Sequence, residues 1–144
     1  MKQIDFHFNV AQRTLYACRL IKKVRGMGLT VVVWGSNESL LRRAYEDLWR
    51  FEDLTFIPHA WAGSAFEAEA PVVFASDIRR LKAADVIILL DEQVPPDWQT
   101  TLEPFGRVVD IVSTDPTELM HSRARYKIYK SAGVTLNAYD RKAG

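Results

Sequence analysis

A chain of 144 residues, 48% hydrophobic and 26% charged, is sized for one globular domain with a substantial core. Its net charge of +1 argues against a protein that wraps duplex DNA, a mode that usually requires a strongly basic surface. The single Cys18 cannot form an internal disulfide and suits a reducing compartment. Lys2, Asp5 and His7 interrupt any apolar run at the start, so no signal peptide is expected there. No apolar stretch approaches the roughly 20 residues that span a bilayer, so a cytoplasmic location without membrane contact is expected.

In chain order, Gln3 to Asn9 reads as a strand with Ile4, Phe6 and Phe8 on one face. Residues 11–26 carry a helical pattern through Leu15, Cys18, Leu20, Ile21 and Val24, stopped by Gly26 and Gly28. Leu29 to Trp34 is nearly all apolar, as a central strand buried on both faces must be. Ser36 or Asn37 can cap the next helix, which runs to about Arg50. Thr55-Phe56-Ile57 reads as a short strand stopped by Pro58, and Ala60 to Pro71 as an exposed loop. Val72 to Phe74 and Asp85 to Leu90 are strands, with a helical turn expected near Ile78–Lys82. Pro95 and Pro96 open a loop, Arg107 to Val112 is a strand, and Pro116 starts the last helix. The order β-α-β-α-β-β-β-β-α predicts a single α/β domain over residues 1–144, with a largely parallel sheet and helices on both faces.

Catalytic and metal signatures are thin. Gly26-Met27-Gly28 precedes a strand, whereas a dinucleotide fingerprint follows one. Trp34-Gly35-Ser36-Asn37 does follow a strand and open a helix, so its amides could meet a phosphate, although the GK[ST] ending of a P-loop is missing. Leu89-Leu90-Asp91-Glu92 resembles the acidic end of a nucleotidase strand, or simply a strand that ends in polar residues. His7, His59 and His121 never fall at zinc-ligand spacing, and no Gly-x-Ser-x-Gly elbow occurs. No cofactor and no metal are expected. Fold alone does not confer function, so surface features carry more weight.

Two surface features stand out. In the last helix, Leu119, Arg123, Tyr126, Lys127 and Lys130 share one face at 100° per residue, with Met120, Ala124 and Ile128 roughly opposite. The second group is expected to be buried. The first is then a solvated charged face, or a surface for a partner both anionic and apolar, such as a carboxylate beside a large side chain. The second feature is Trp49, Phe51, Phe56, Pro58, His59 and Trp61, with Arg42, Arg43 and Arg50 as a cationic rim. These aromatics fit a core or an interface hot spot equally well.

A set of ordered motifs runs along the chain. They are Asp47-Leu48-Trp49, Phe56-Ile57-Pro58-His59, Ala70-Pro71-Val72 and Ala84-Asp85-Val86-Ile87. Asp91-Glu92-Gln93-Val94-Pro95-Pro96, Phe105-Gly106-Arg107-Val108-Val109-Asp110-Ile111-Val112 and Arg123-Ala124-Arg125-Tyr126-Lys127-Ile128-Tyr129 with Gly133 follow. In this order and spacing the chain resembles the chi subunit family of bacterial DNA polymerase III holoenzyme, accessory proteins of the clamp loader. The resemblance implies a Rossmann-like fold without a nucleotide site, no enzymatic activity of its own, and a place in the replication machinery. It implies binding of the acidic, phenylalanine-terminated tail of single-stranded-DNA-binding protein, so that DNA is reached only indirectly. Arg123, Tyr126 and Lys127 match the family's residues at that site, with Val112 as an apolar wall. Leu119 stands where some relatives carry a lysine, which shifts weight to Lys130. A second surface around Trp49, Phe56, Pro58 and His59 is implied for the psi subunit or an iron–sulfur helicase, with Ala44-Tyr45 where relatives commonly show Leu-Asp. Two other readings remain: a small nucleotide-binding enzyme using Gly35-Ser36-Asn37, and a Rossmann-like module for an unrelated acidic peptide.

Overall fold

The computed structural model describes residues 3–50 and 57–141. Seven strands form one sheet: β1 (Gln3–Val10), β2 (Val31–Trp34), β3 (His59–Trp61), β4 (Val72–Ala75), β5 (Val86–Leu89), β6 (Arg107–Ser113) and β7 (Thr135–Asp140). Their order is β3-β4-β2-β5-β6-β1-β7, and every pairing is parallel. Four helices connect them: α1 (Arg13–Gly26), α2 (Glu38–Arg50), the single turn α3 (Trp98–Thr101) and α4 (Pro116–Ser131). Two 3-10 turns, Glu67–Glu69 and Ile78–Arg80, flank β4. The expected α/β fold is therefore present, with the sheet wholly parallel.

Because a parallel sheet needs cover on both faces, its central strands are apolar throughout. Val31, Val33, Val86 and Ile88 pack beneath α1 and α2, through Ala17, Ile21, Leu41 and Leu48. Val32, Trp34, Ile87 and Leu89 point the other way, into a second core with Phe105, Val108 and Tyr129. Strand β1 serves both. Ile4 and Phe6 join the second core, but a register shift between His7 and Val10, with Asn9 at φ 62°, turns Val10 into the first.

The sequence reading needs four corrections. Strand β7 was not expected, because the alternation Leu136-Asn137-Ala138 is short and its residues are half-buried or exposed at a sheet edge. The strand expected at Thr55–Ile57 falls mostly outside the described residues, Ile57 itself is not in a strand, and β3 lies beyond Pro58 at His59–Trp61, so Ala60 and Trp61 leave the expected loop. Thr55 and Phe56 lie outside the described residues. The turn α3 forms in what was read as loop.

The fourth correction concerns α4. Its expected buried side, Met120, Ala124 and Ile128, is exposed, and the helix instead buries Ser122, Arg125 and Tyr129. The cause is electrostatic. Arg125 Nε and Nη2 donate to the two oxygens of Asp110 at 2.8 Å each, and Nη1 donates to the Glu92 carbonyl at 2.8 Å. Both side chains are buried, at 4% and 0% exposure. The planar guanidinium fits the carboxylate edge to edge, and burial of an unpaired charge is the expensive alternative. Asp110 is thus a strand residue on the second-core face that forces an arginine inward.

A polar contact also ties α1 to β1, where His7 Nδ1 meets the Tyr16 hydroxyl. Burial, helped by the nearby Arg141, lowers the His7 pKa to about 4.

Two stability outcomes follow from these buried groups. Asp110→Ala strands the Arg125 charge and should cost about 3–5 kcal/mol in urea unfolding, whereas the joint replacement Asp110→Leu with Arg125→Met recovers most of it. For His7 the folded value lies below the ordinary one, so the unfolded chain takes up the proton first as pH falls. Its contribution is intact above about pH 6.5 and is lost progressively towards pH 4, roughly 3 kcal/mol in all. The difference in unfolding free energy between the native chain and His7→Gln should therefore shrink between about pH 7 and pH 5. A constant difference over that interval would contradict the assignment.

Candidate functional site

The C-terminal helix α4 begins with a strong local signal. Asp115 accepts from the Glu118 amide at 3.0 Å as N-cap, with Pro116 in the first turn. Its far end is closed by Gly133 at φ 79°, and the chain then enters β7. With Arg125 and Tyr129 pointing inward, Leu119 and Tyr126 fall at the seam between helix and sheet, while Arg123, Lys127 and Lys130 point outward.

At that seam the Tyr126 ring lies 5.5 Å from Phe6, which anchors it, and remains 38% exposed. The Lys130 ammonium sits 5.8 Å from the Tyr126 ring centroid, within cation–π range. Arg123 and Lys127, three residues before and one after Tyr126, are exposed on the same side. Leu119 is half-buried and packs on the second core, to which Val112 also belongs. Val112 is only 4% exposed, so it is a buried member of that core rather than an open wall. The five predicted residues of α4 thus share one side of the helix, and Val112 belongs to the core on which α4 packs. Phe6 is the member that sequence reasoning missed, and the alternation of β1 was the signal that could have found it.

The second predicted surface is only partly displayed. Trp49 is 43% exposed and Pro58 is exposed, while Phe56 lies outside the described residues. His59 is buried at 5% exposure, with Nδ1 2.7 Å from the Ile57 carbonyl and Nε2 2.8 Å from the Tyr45 carbonyl. Burial lowers its pKa, against the two carbonyls that favour its protonation. The ring packs 3.9 Å from Trp49 and 4.4 Å from Tyr45, centroid to centroid. Tyr45 in turn stacks on Trp61 at 4.5 Å with an interplanar angle of 15°. His59 therefore holds the edge strand against α2 and supports Trp49 from behind. Arg42 lies 5.8 Å over the Trp61 ring, which accounts for part of the cationic rim.

The Gly35 turn sits where an α/β sheet commonly binds phosphate, but an internal anion occupies its donors. Asp91 Oδ1 accepts from the Ser36 amide at 2.9 Å and from the Ser36 hydroxyl at 2.6 Å, and Asp91 Oδ2 accepts from the Gln93 amide at 3.2 Å. Asn37 Oδ1 accepts from the Leu40 amide at 3.1 Å and so caps α2. Gly35 itself is there for close packing, since a Cβ would lie 2.4 Å from the Leu90 carbonyl oxygen. A phosphate would have to displace Asp91 and would meet its charge.

Other candidate chemistry is equally occupied. Cys18 is fully buried and its thiol is pushed up to about 12 by burial, which makes it inert at neutral pH. Among the described residues no three His, Cys, Asp or Glu side chains gather as a metal site, and no helix is long and apolar enough to cross a membrane.

Comparison with known proteins agrees with the ordered motifs. The family described as DNA polymerase III chi subunit, HolC, matches residues 1–137. DNA polymerase III subunit chi of Escherichia coli K12 is 29% identical over 120 residues, covering 83% of this chain and 80% of that protein. The Haemophilus influenzae subunit of the same name is 26% identical over 122 residues, covering 84% and 82%. In fold alone, the C-terminal domain of the DEAD-box protein Dbp5 is similar, with a TM-score of 0.62 at 10% identity over 98% of this chain and 91% of that one. With the family match spanning nearly the whole sheet and α4, the chain belongs to the DNA polymerase III chi subunit family.

Proposed function

We propose that this chain is a non-catalytic accessory subunit of the clamp-loader assembly, acting in the bacterial cytoplasm at the replisome, and that α4 binds the acidic C-terminal tail of single-stranded-DNA-binding protein. The observation that carries this reading is the exposed Tyr126 ring, anchored by Phe6 and set among Arg123, Lys127 and Lys130. A peptide that ends in an apolar ring and a carboxylate meets both needs there. Its ring lies against Tyr126 and the aliphatic stems of Lys127 and Lys130, over Leu119 and the core to which Val112 belongs. Its carboxylate pairs with Arg123 or Lys127, and upstream acidic residues lie along the cationic side of the helix. This surface reaches DNA only through the protein that coats it. A second surface, centred on Trp49 with Pro58 and the buried support of His59, receives the psi subunit or an iron–sulfur helicase. The occupied donors of the Gly35-Ser36-Asn37 turn weigh against the nucleotide-enzyme reading.

Calorimetric titration with an acidic peptide ending in Pro-Phe should give a Kd on the order of micromolar, about −8 kcal/mol. Arg123→Ala should weaken it at least tenfold, as should amidating the peptide's terminal carboxylate, and affinity should fall with salt. Equal affinity of the amidated peptide would remove the carboxylate from the account. For the second surface, Trp49→Ala should lower affinity for the psi subunit by about tenfold or more in a pull-down titration, while leaving the peptide titration unchanged.

A further inference from the structure

The tail site uses one face of the sheet; on the other face the starts of β6 and β1 and the edge strand β7 are only partly covered. Helix α1 covers only part of it, and beyond α1 the alternate strand residues are polar: Gln3, Asp5 and His7 on β1, Asn137 and Tyr139 on β7. Together with the C-terminal half of α1 they bound a groove of about 430 Å³. Ligand pockets begin at about 300 Å³, so the space is larger than a bare phosphate fills.

Its charge is one-sided. Lys23 from α1, Arg107 from β6 and Arg141 after β7 all line it, against the single carboxylate of Asp5. Asp5 is itself engaged: Asn137 Nδ2 donates to it at 3.1 Å, and Arg107 Nε stands 3.9 Å away. Arg107 and Lys23 reach into solvent. Arg141 Nε is buried and has no hydrogen-bond acceptor among the described residues. Its guanidinium carbon lies 5.5 Å from the Tyr139 ring centroid, and that ring is 41% exposed. His7 lies 5.3 Å from the same ring, and all three cations add to burial in holding its imidazole neutral. The groove thus offers excess positive charge, an Arg141 guanidinium that meets Tyr16 while its Nε has no acceptor among the described residues, and an aromatic ring beside them.

We propose that this groove binds a nucleotide unit, free or within a single strand, with its phosphate on Lys23, Arg107 and Arg141 and its base on the exposed surface of Tyr139. Charge complementarity selects the phosphate, the ring selects the base, and the groove's width fits both at once. The site shares no lining residue with the Gly35 turn or with the α4 seam, so it stands independently of the tail-binding reading.

The test is fluorescence anisotropy and calorimetry on the full chain at about 50 mM salt, with thymidine monophosphate, an oligothymidylate of about ten nucleotides, and inorganic phosphate. The oligonucleotide should bind with a log–log salt slope of about −2, as expected for three phosphate contacts to a single strand. Arg107→Gln and Tyr139→Ala should each weaken binding about tenfold. Asp5→Asn removes the opposing charge and should tighten it severalfold, a gain that a purely structural role would not produce. Preference for the oligonucleotide assigns the single strand as source, and equal affinity for the monophosphate assigns the free nucleotide. Inorganic phosphate binding as tightly as either would overturn the assignment, as would unchanged affinity in Arg107→Gln and Tyr139→Ala, or no binding of any nucleotide. Arg123→Ala should leave nucleotide binding intact while losing the acidic peptide, and Arg107→Gln the reverse, so the two readings fail separately.

Discussion

The buried pair of Arg125 and Asp110 fixes how the rest of this surface is presented. A helix lying on a sheet can rotate about its axis, and hydrophobicity alone would turn α4 so that Met120, Ala124 and Ile128 face inward. One bidentate ion pair at 2.8 Å, with a third bond to the Glu92 carbonyl, overrides that preference. Dispersion and area terms for three small or flexible side chains are comparable to a few kcal/mol, whereas an unpaired charge in the same place costs as much or more by itself. Rotation then follows, and with it the placement of Tyr126 at the seam and of Arg123, Lys127 and Lys130 outside. The apolar stripe of Met120 and Ile128 is left exposed as a consequence.

The same economy closes the crevice that this fold usually offers to nucleotides. The donors at the start of α2 need an anion, and Asp91 from the end of β5 supplies it from within the chain. Gly35 lets the β2 end approach the Leu90 backbone closely enough for that contact. Geometry suited to a phosphate is thereby turned into a cross-link between two neighbouring strands.

Strand β1 shows how one segment can divide its duties. Its even residues build the second core and carry Phe6 to Tyr126, while its odd residues, Asp5 and His7, face the open groove. The bulge at Asn9 ends that alternation and returns Val10 to the first core. Three surfaces, around Tyr126, around Trp49 and along the groove, are thus held apart by a rigid parallel sheet.

Much of the architecture was determined by sequence because the energetics there are local or one-dimensional. Leu29 to Trp34 and Asp85 to Leu90 are nearly continuous apolar runs, as central strands must be, and Asn37 and Pro116 announce helix starts through their own side-chain chemistry. The ordered motifs carried the family, and five of the residues proposed for the tail site, Leu119, Arg123, Tyr126, Lys127 and Lys130, lie on one helix, where spacing alone brings them together. What only the tertiary structure decided depends on groups distant in sequence. The rotation of α4 rests on an ion pair fifteen residues apart, and the burial of His59 rests on the Tyr45 carbonyl of α2, fourteen residues away. The filling of the Gly35 turn rests on a carboxylate fifty-five residues away. Strand β7 is stable because β1 offers an edge to pair with, not because Thr135 to Asp140 is strongly patterned. A periodicity in sequence reports what each residue prefers to do with water, but it cannot report which buried charge will find its partner.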